Sequence, residues 1–330
     1  MKARKRLIAI AILTLSFGVS LRSALAQAQV NDKQHGTVIG NAIMYVSPDL
    51  NSAKVARPSR GRDTWLMGQS SIDGKEWAHI MVTMSQNTFS APRTVTGWTD
   101  ARLVITSATP NGDQIIFGEA VQAEHEADNG VKDADQEAMR LYYRIYEYFP
   151  DSPLAAESLW HAADYQWQLE KSGVFARPSA REISPDARQE IDEETMHKLI
   201  KKFPRTKWAD LAAYDLLDNK ICGSWKGETR CPEKEADLYE HYAHEHPQSP
   251  KAAEALYKAA WRQAALVDMY KGKERDKGEK AKRRAMEIAQ EISAKYPEGD
   301  WKPRAAQLVF ALQQGLEVTT ESERQSGKQN

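Results

Sequence analysis

The chain has 330 residues, 41% of them apolar and 28% charged, with two cysteines and a formal charge of −1. Length alone points to about two domains. The composition is that of a soluble globular protein and excludes a collagen-like chain, a multispanning membrane protein and a disulfide-dense miniprotein. The first 26 residues carry five basic groups and no acid, which leaves 40 basic and 46 acidic residues in the remainder, a net of −6. Such a balance gives no electrostatic reason to bind nucleic acid.

Lys2, Arg4, Lys5 and Arg6 form a positive head, 7–21 is a short and mostly apolar run, and small residues follow at Ala24, Ala26 and Ala28. This is the pattern of a cleavable Sec-type secretory signal over 1–26, with cleavage near Ala26. The run is shorter and weaker than a membrane-spanning helix, which needs about 20 apolar residues. No cysteine stands near the cleavage site, so no lipid attachment is expected. The expectation is a periplasmic or secreted protein that begins near Gln27 and does not span the membrane once cleaved.

From 36 to 107 β-branched and aromatic residues alternate with turn formers. Strands are expected at 36–46, 64–70, 76–83, 95–99 and 103–105. Ser47-Pro48-Asp49, Arg60-Gly61-Arg62 and Asp73-Gly74 mark the turns. Short strands with Asp-Gly and Gly turns indicate an antiparallel sandwich or barrel.

The order of these residues resembles that of the bacterial SH3 (SH3b) domain family. Its opening strand and Ser-Pro turn correspond to Ala42-Ile43-Met44-Tyr45-Val46-Ser47-Pro48. A glycine before a strand is Gly61, the turn into a tryptophan is Asp73-Gly74-Lys75-Glu76-Trp77, the closing pair is Gly97-Trp98, and the apolar end is Leu103. The chain departs from the pattern in an insert at 84–92. It departs again at Met44-Tyr45, where many members carry Asn with an Arg two residues later. The resemblance implies a small β barrel whose aromatic-lined groove binds peptidoglycan or peptide segments, with Tyr45, Trp65, Trp77 and Trp98 as the candidate lining. A barrel this small also needs large side chains inside, which favours core positions for Trp77 and Trp98.

The stretch 108–136 is an acidic linker; 118–137 alone holds seven acids and one lysine, and it reads as a solvated hinge or the start of a polar helix. Beyond it helix formers dominate, with apolar residues at three- and four-residue spacing. Ser152-Pro153-Leu154-Ala155-Ala156-Glu157-Ser158-Leu159 recurs as Ser249-Pro250-Lys251-Ala252-Ala253-Glu254-Ala255-Leu256, an offset of 97. Four breaks share one form: Phe149-Pro150, Phe203-Pro204, His246-Pro247 and Tyr296-Pro297. Five residues before each Pro stands Ile145, Leu199, Tyr242 or Ile292; thirteen after stand Ala163, Leu217, Ala260 and Phe310, continuing faces begun at Leu159, Ala213, Leu256 and Ala306.

Each unit therefore reads as helix, proline break, turn, helix. Proline lacks the amide donor and disfavours helical geometry in the residue before it. Ser152, Ser249 and Thr206 are expected N-caps, with Pro153 and Pro250 in the first helical position. This arrangement resembles the tetratricopeptide (TPR) family, in particular exported outer-membrane assembly and Tol–Pal coordinator types. It implies an all-α helical-hairpin solenoid over 137–316 that binds a protein or peptide. Spacings of 54, 43 and 50 residues between the prolines exceed the family's usual repeat, 171–189 is a long insert, and Gly299-Asp300 replaces the Ser-Pro cap. The tail 317–330 is expected to be disordered.

Cys222 and Cys231 flank a stretch with two glycines, and in an oxidising compartment such a pair forms a local disulfide. Glu240-His241-Tyr242-Ala243-His244-Glu245-His246 has two histidines one helical turn apart but no further ligand, and reads as a solvated face. The basic run 271–284 reads as a solvated linker or helix end. Tyr142, Tyr143, Tyr146, Trp160, Tyr165 and Trp167 read as core rather than as a groove lining. No phosphate loop, nucleophile elbow or paired metal motif is present in the sequence. The expectation is a non-catalytic adaptor or scaffold without cofactor or metal, which binds envelope proteins or peptides and cell wall. The alternatives are a peptidoglycan-active enzyme or its dedicated activator, and a structural spacer.

Overall fold

The computed structural model describes residues 35–84, 92–187, 189–272 and 274–318. The expected signal segment, all of the 84–92 insert but its two end residues, and 319–330 of the expected tail lie outside the described residues. The chain divides into two compact units, Met1–Pro150 and Asp151–Asn330. The boundary falls at the first of the four proline breaks, so the helix before Pro150 and the helix after it belong to different units.

In the first unit seven antiparallel strands form one sheet: β1 (His35–Val38), β2 (Met44–Tyr45), β3 (Lys54–Ala56), β4 (Asp63–Ile72), β5 (Lys75–Met84), β6 (Arg93–Asp100) and β7 (Val104–Thr106). Their order is β3-β2-β6-β5-β4-β1-β7. The expected strand at 36–46 is two strands. Gly40 turns the chain at φ 57°, so that β1 pairs with β4 and β7 while β2 pairs with β3 and β6. The three-residue β3 has no apolar run of its own and escapes a sequence reading. Between β4 and β5 the turn sits at Asp73-Gly74, both at positive φ (50° and 75°), as a tight hairpin requires. Alternation puts Ala78, Ile80 and Val82 of β5 on the core side with Val38, Met44, Val95 and Val104.

The acidic stretch folds. It contains α1 (Gly112–Asp128), followed by α2 (Ala134–Tyr148). Ile116, Ala120 and Ala123 of α1 are buried, and α2 buries Ala134, Ala138, Leu141, Tyr142 and Ile145 on one face. Three of the acids converge on a single cation from the turn before β4. Arg60 Nε is 2.7 Å from Glu137 Oε2, Nη1 is 3.4 Å from Glu119 Oε1, and Nη2 pairs with Glu126. Glu137 also accepts from the Arg60 backbone amide at 3.2 Å, and Glu119 from that of Gly40 at 2.9 Å. Burial alone would pull the Arg60 guanidinium down, but its hydrogen bonds to Glu126 and Glu137 more than reverse this and raise it.

From α2, Arg140 Nε donates to the Arg60 carbonyl at 3.3 Å and Arg144 Nε to that of Gly61 at 3.2 Å, while the Tyr148 hydroxyl donates to Asp63 at 2.6 Å. Gly61 lies at φ 73°, and a Cβ there would stand 2.7 Å from Arg140 Cβ, so only glycine lets α2 approach this closely. Replacing Arg60 strands three partly buried carboxylates. Arg60→Ala should lower stability by about 3 kcal/mol in denaturant unfolding. Arg60→Lys should recover little of it, because three donors on one nitrogen cannot reach the separate carboxylates that Nε, Nη1 and Nη2 meet from the spread guanidinium.

The second unit is helical: α3 (Ala155–Phe175), α4 (Glu194–Lys202), α5 (Lys207–Asp215), α6 (Arg230–Glu245), α7 (Ala252–Met269), α8 (Arg275–Lys295) and α9 (Trp301–Gln314). All four proline breaks of the chain have one geometry. The residue before proline ends its helix at φ −132°, −126°, −123° and −126° with ψ 58°, 55°, 56° and 63°. In each case its amide donates to the carbonyl of the residue five before the proline, Ile145, Leu199, Tyr242 or Ile292. All four acceptor residues are buried. Thr206 caps α5 as expected, its hydroxyl accepting from the Ala209 amide at 3.2 Å. Ser152 and Ser249 do not cap the helices after them. They accept from the amides of Leu154 and Lys251 two residues on, which forms a turn before helices that begin at Ala155 and Ala252.

One shared core runs through the later helices, from Leu217 through Tyr239, Tyr242, Leu256, Ala260, Ile288 and Ile292 to Leu308 and Leu312. Phe310, expected on the buried face, is 58% exposed. The helix after Pro297 starts four residues on, against five after Pro150 and Pro247. Its buried face accordingly shifts by one residue, to Ala305, Leu308 and Leu312.

The offset of 97 relates Trp160 to Tyr257, and a related offset of 93 relates Trp208 to Trp301. The ring pairs repeat with them. Trp160 and Trp208 are 5.1 Å apart at 30°, and Tyr257 and Trp301 are 5.4 Å apart at 39°. The ring pairs thus recur once per two proline breaks.

Cys222 and Cys231 are joined by a disulfide. Constraining a loop of that length stabilises by about 2.5 kcal/mol. The Cys222→Ser/Cys231→Ser protein should lose that amount in chemical denaturation, and reduction should have no effect on it.

Candidate functional site

Alternation about the strands settles which way the aromatic candidates face. In β5 the core residues are even-numbered from Ala78 to Val82, so Trp77, His79 and Met81 face the other way. Trp98 alternates with the buried Val95, Gly97 and Thr99 of β6, and Tyr45 follows the core residue Met44. Register then arranges them in rungs. Tyr45 stands opposite Trp98, which stands opposite His79. Trp77 lies between Ser70 and Asp100, and Trp65 between His35 and Met81.

Tyr45, Trp77 and Trp98 therefore share one neighbourhood on the face of the sheet opposite the core. Trp65 stands on the neighbouring rung. Tyr45 and Trp77 meet edge to face at 5.9 Å, and Lys75 Nζ is 4.4 Å from the Trp77 ring centroid. At 8% and 3% exposure these two rings support the surface rather than form it. Trp77 is buried, as its size in a small sheet favours, but against Tyr45 rather than in the cluster around Ile80.

The accessible part consists of Trp65, 41% exposed, and the half-buried Trp98. Trp98 lies nearly parallel to His79 at 4.8 Å and 17°. Trp65 is held edge-on by His35 at 4.0 Å, and His35 Nδ1 is fixed by Asp63 at 3.0 Å. A polar rim adjoins the Trp77 rung. The hydrogen bond from Arg102 to Asp100, 2.7 Å from Nη2, overcomes burial and holds that carboxyl at about 2. His35 and His79 were not among the sequence candidates. The signal for His79 was its spacing of two from Trp77, which places it on the same face once the strand is accepted.

The other sequence candidates are locally engaged. His241 pairs with Glu245 at 3.2 Å and His244 with Glu291 at 3.0 Å. Among the described residues no group of three metal-ligating side chains is found. In the basic run Lys271, Lys277 and Arg284 are paired with Asp268, Glu274 and Glu240. Tyr142 and Trp167 are fully buried. Tyr142, Tyr143 and Tyr146 belong to the first unit, and Trp160, Tyr165 and Trp167 to the second. Among the described residues no helix is long and apolar enough to cross a membrane.

One electrostatic cluster in the second unit has no sequence signature. Burial, with the charges of Asp164 and Asp218, pushes the Asp215 carboxyl up to about 7 against the opposing pull of Lys171 and Lys251. Beside it burial also disfavours the Glu254 carboxylate. A 2.8 Å bond from Lys251 and the charge of Lys258 prevail there and hold it at about 2.

No protein-family model matches the chain, and no curated protein is significantly similar to it.

An acid raised in the fold is stabilised by protonation. The Asp215 contribution is full below the unfolded value of about 4 and is lost as pH rises through about 7. Asp215→Asn should therefore match the parent at pH 4 and exceed it by about 2 kcal/mol at pH 8, read from thermal melts at both values.

Proposed function

We propose that this protein is an exported, non-catalytic adaptor of the bacterial cell envelope. In this reading the sheet of the first unit is an SH3-like (SH3b) barrel that contacts cell wall or an extended peptide. The helical unit is a TPR-like stack that holds an envelope protein or peptide. The observation that carries the reading is the outward aromatic face, where Trp65 and the stacked Trp98–His79 pair are accessible and Tyr45 and Trp77 back them. Flat rings held rigidly by neighbours suit a ligand that offers its own flat or apolar faces, such as a sugar ring or a peptide side chain.

Two further features support it. The recurrent proline stop makes one helix of each hairpin end alike, which is what stacking of like units needs. The disulfide and the basic-apolar-small pattern of 1–26 suit a protein matured in an oxidising compartment outside the inner membrane. Function by binding fits a surface whose rings and ion pairs are engaged with one another.

The test uses the chain from Gln27 with purified peptidoglycan sacculi and, separately, with envelope extract. Co-sedimentation with sacculi is expected, without release of soluble muropeptides. Trp65→Ala/Trp98→Ala should weaken retention about tenfold, as for loss of an interface anchor, while still unfolding cooperatively above the assay temperature. Muropeptide release would indicate a catalytic site and overturn the adaptor reading. Retention unaffected by the double substitution would remove the aromatic face from it.

A further inference from the structure

The disulfide does more than close its own loop. Segment 177–187 makes two short turns, Pro178–Arg181 and Pro185–Ala187, and Ala180 is its one buried residue. A stretch with so little apolar burial has scant means of holding itself in place. Arg177 at its start is held by Val174 and Gln189, and beyond it the contacts of 180–183 are with the disulfide loop. The Gly223 amide donates to the Glu182 carbonyl at 3.1 Å, and Lys226 Nζ lies 3.6 Å from the Glu182 carboxylate. Cys231 Sγ is 3.9 Å from the Ile183 carbonyl oxygen. A Cβ on Gly223 would collide with the Ala180 carbonyl oxygen, so the two backbones are in direct contact.

The loop is anchored in turn from α6. Glu235 Oε1 accepts from the Cys222 amide at 2.9 Å and from Trp225 Nε1 at 3.2 Å, and its other oxygen accepts from the buried Arg262 at 2.7 Å. Neither cysteine nor any residue of 177–187 belongs to the shared apolar core of the later helices.

We propose that the Cys222–Cys231 bond is a redox-operated clasp: its reduction frees 177–187 while the core of α6 to α9 stays folded. The electrons come from a dithiol reductant. Its thiolate attacks Sγ of Cys222, the less buried of the two residues, and Cys231 leaves as a thiolate that takes up a proton. The second thiolate of the reductant then displaces Cys222, so that two thiols form and the reductant ends as a disulfide. Without the covalent closure the two-glycine loop gains conformational freedom, and the platform under Glu182 and Ile183 disperses.

Trypsin reads this directly, since Arg181 is exposed and precedes Glu182. The full mature chain is treated with dithiothreitol, and complete reduction is established by alkylation of two thiols. Cleavage after Arg181 should accelerate at least tenfold, with the far-ultraviolet helical signal nearly unchanged. Reoxidation should restore resistance. The Cys222→Ser/Cys231→Ser protein should be cleaved equally fast without reductant. An unchanged cleavage rate in the fully reduced chain would overturn the clasp. Loss of the helical signal, in the reduced chain or in the double variant, would overturn it as well, because the bond would then hold the whole unit rather than one segment.

Discussion

A proline that follows an aromatic or histidine residue denies the backbone one donor and forces the preceding residue out of helical geometry. Four times in this chain that constraint yields the same stop, with the last amide returned to a buried residue five positions before the proline. Because the acceptor residue is buried, each stop fixes where its helix ends and which face meets the core. Only the connection beyond the proline is then free to vary. The helices after the break start five, three, five and four residues beyond the proline, and the buried face of the last one rotates accordingly.

In the first unit charge neutralisation plays the corresponding part. Arg60 gathers Glu119, Glu126 and Glu137 from two helices, and Arg140 and Arg144 return the exchange by gripping the carbonyls of Arg60 and Gly61. Much of the acidity that makes 118–137 look solvated is thus consumed inside the unit. The same turn leads directly into β4, so the ion cluster, the hydroxyl of Tyr148 and the ring pair of His35 and Trp65 share one framework through Asp63.

Local chemistry was legible in the sequence, and distant partnership was not. Asp73-Gly74 could be read as a hairpin turn because both residues tolerate positive φ. The proline breaks could be read because their effect is confined to adjacent residues. Of the two readings of the acidic stretch, hinge or start of a polar helix, the structure has the helix; what no local pattern reveals is its pairing with a cation 59 to 77 residues earlier. The serines before Pro153 and Pro250 have the chemistry of helix caps, yet the helices begin two residues later than such a role requires. Of the candidate surface, period-two alternation could place Trp77 and Trp98 on a common face. That Tyr45 joins them and that Trp65 takes a separate rung depend on strand register across β2, β6 and β4. His79 was available to the same alternation; His35 required the pairing of β1 with β4.

The carboxylates that enclose Arg60 also define how small the first unit can be made. An excised fragment ending at residue 107 would retain every strand but lose all three counter-charges, together with the tyrosine that bridges Gly36 and Asp63. Its guanidinium would face water, and the floor on which Gly61 lies against the backbone of Leu141 would be bare. A piece that contains the sheet and keeps these contacts runs on through Tyr148, so a dissection guided by the strands alone would cut through a compact unit.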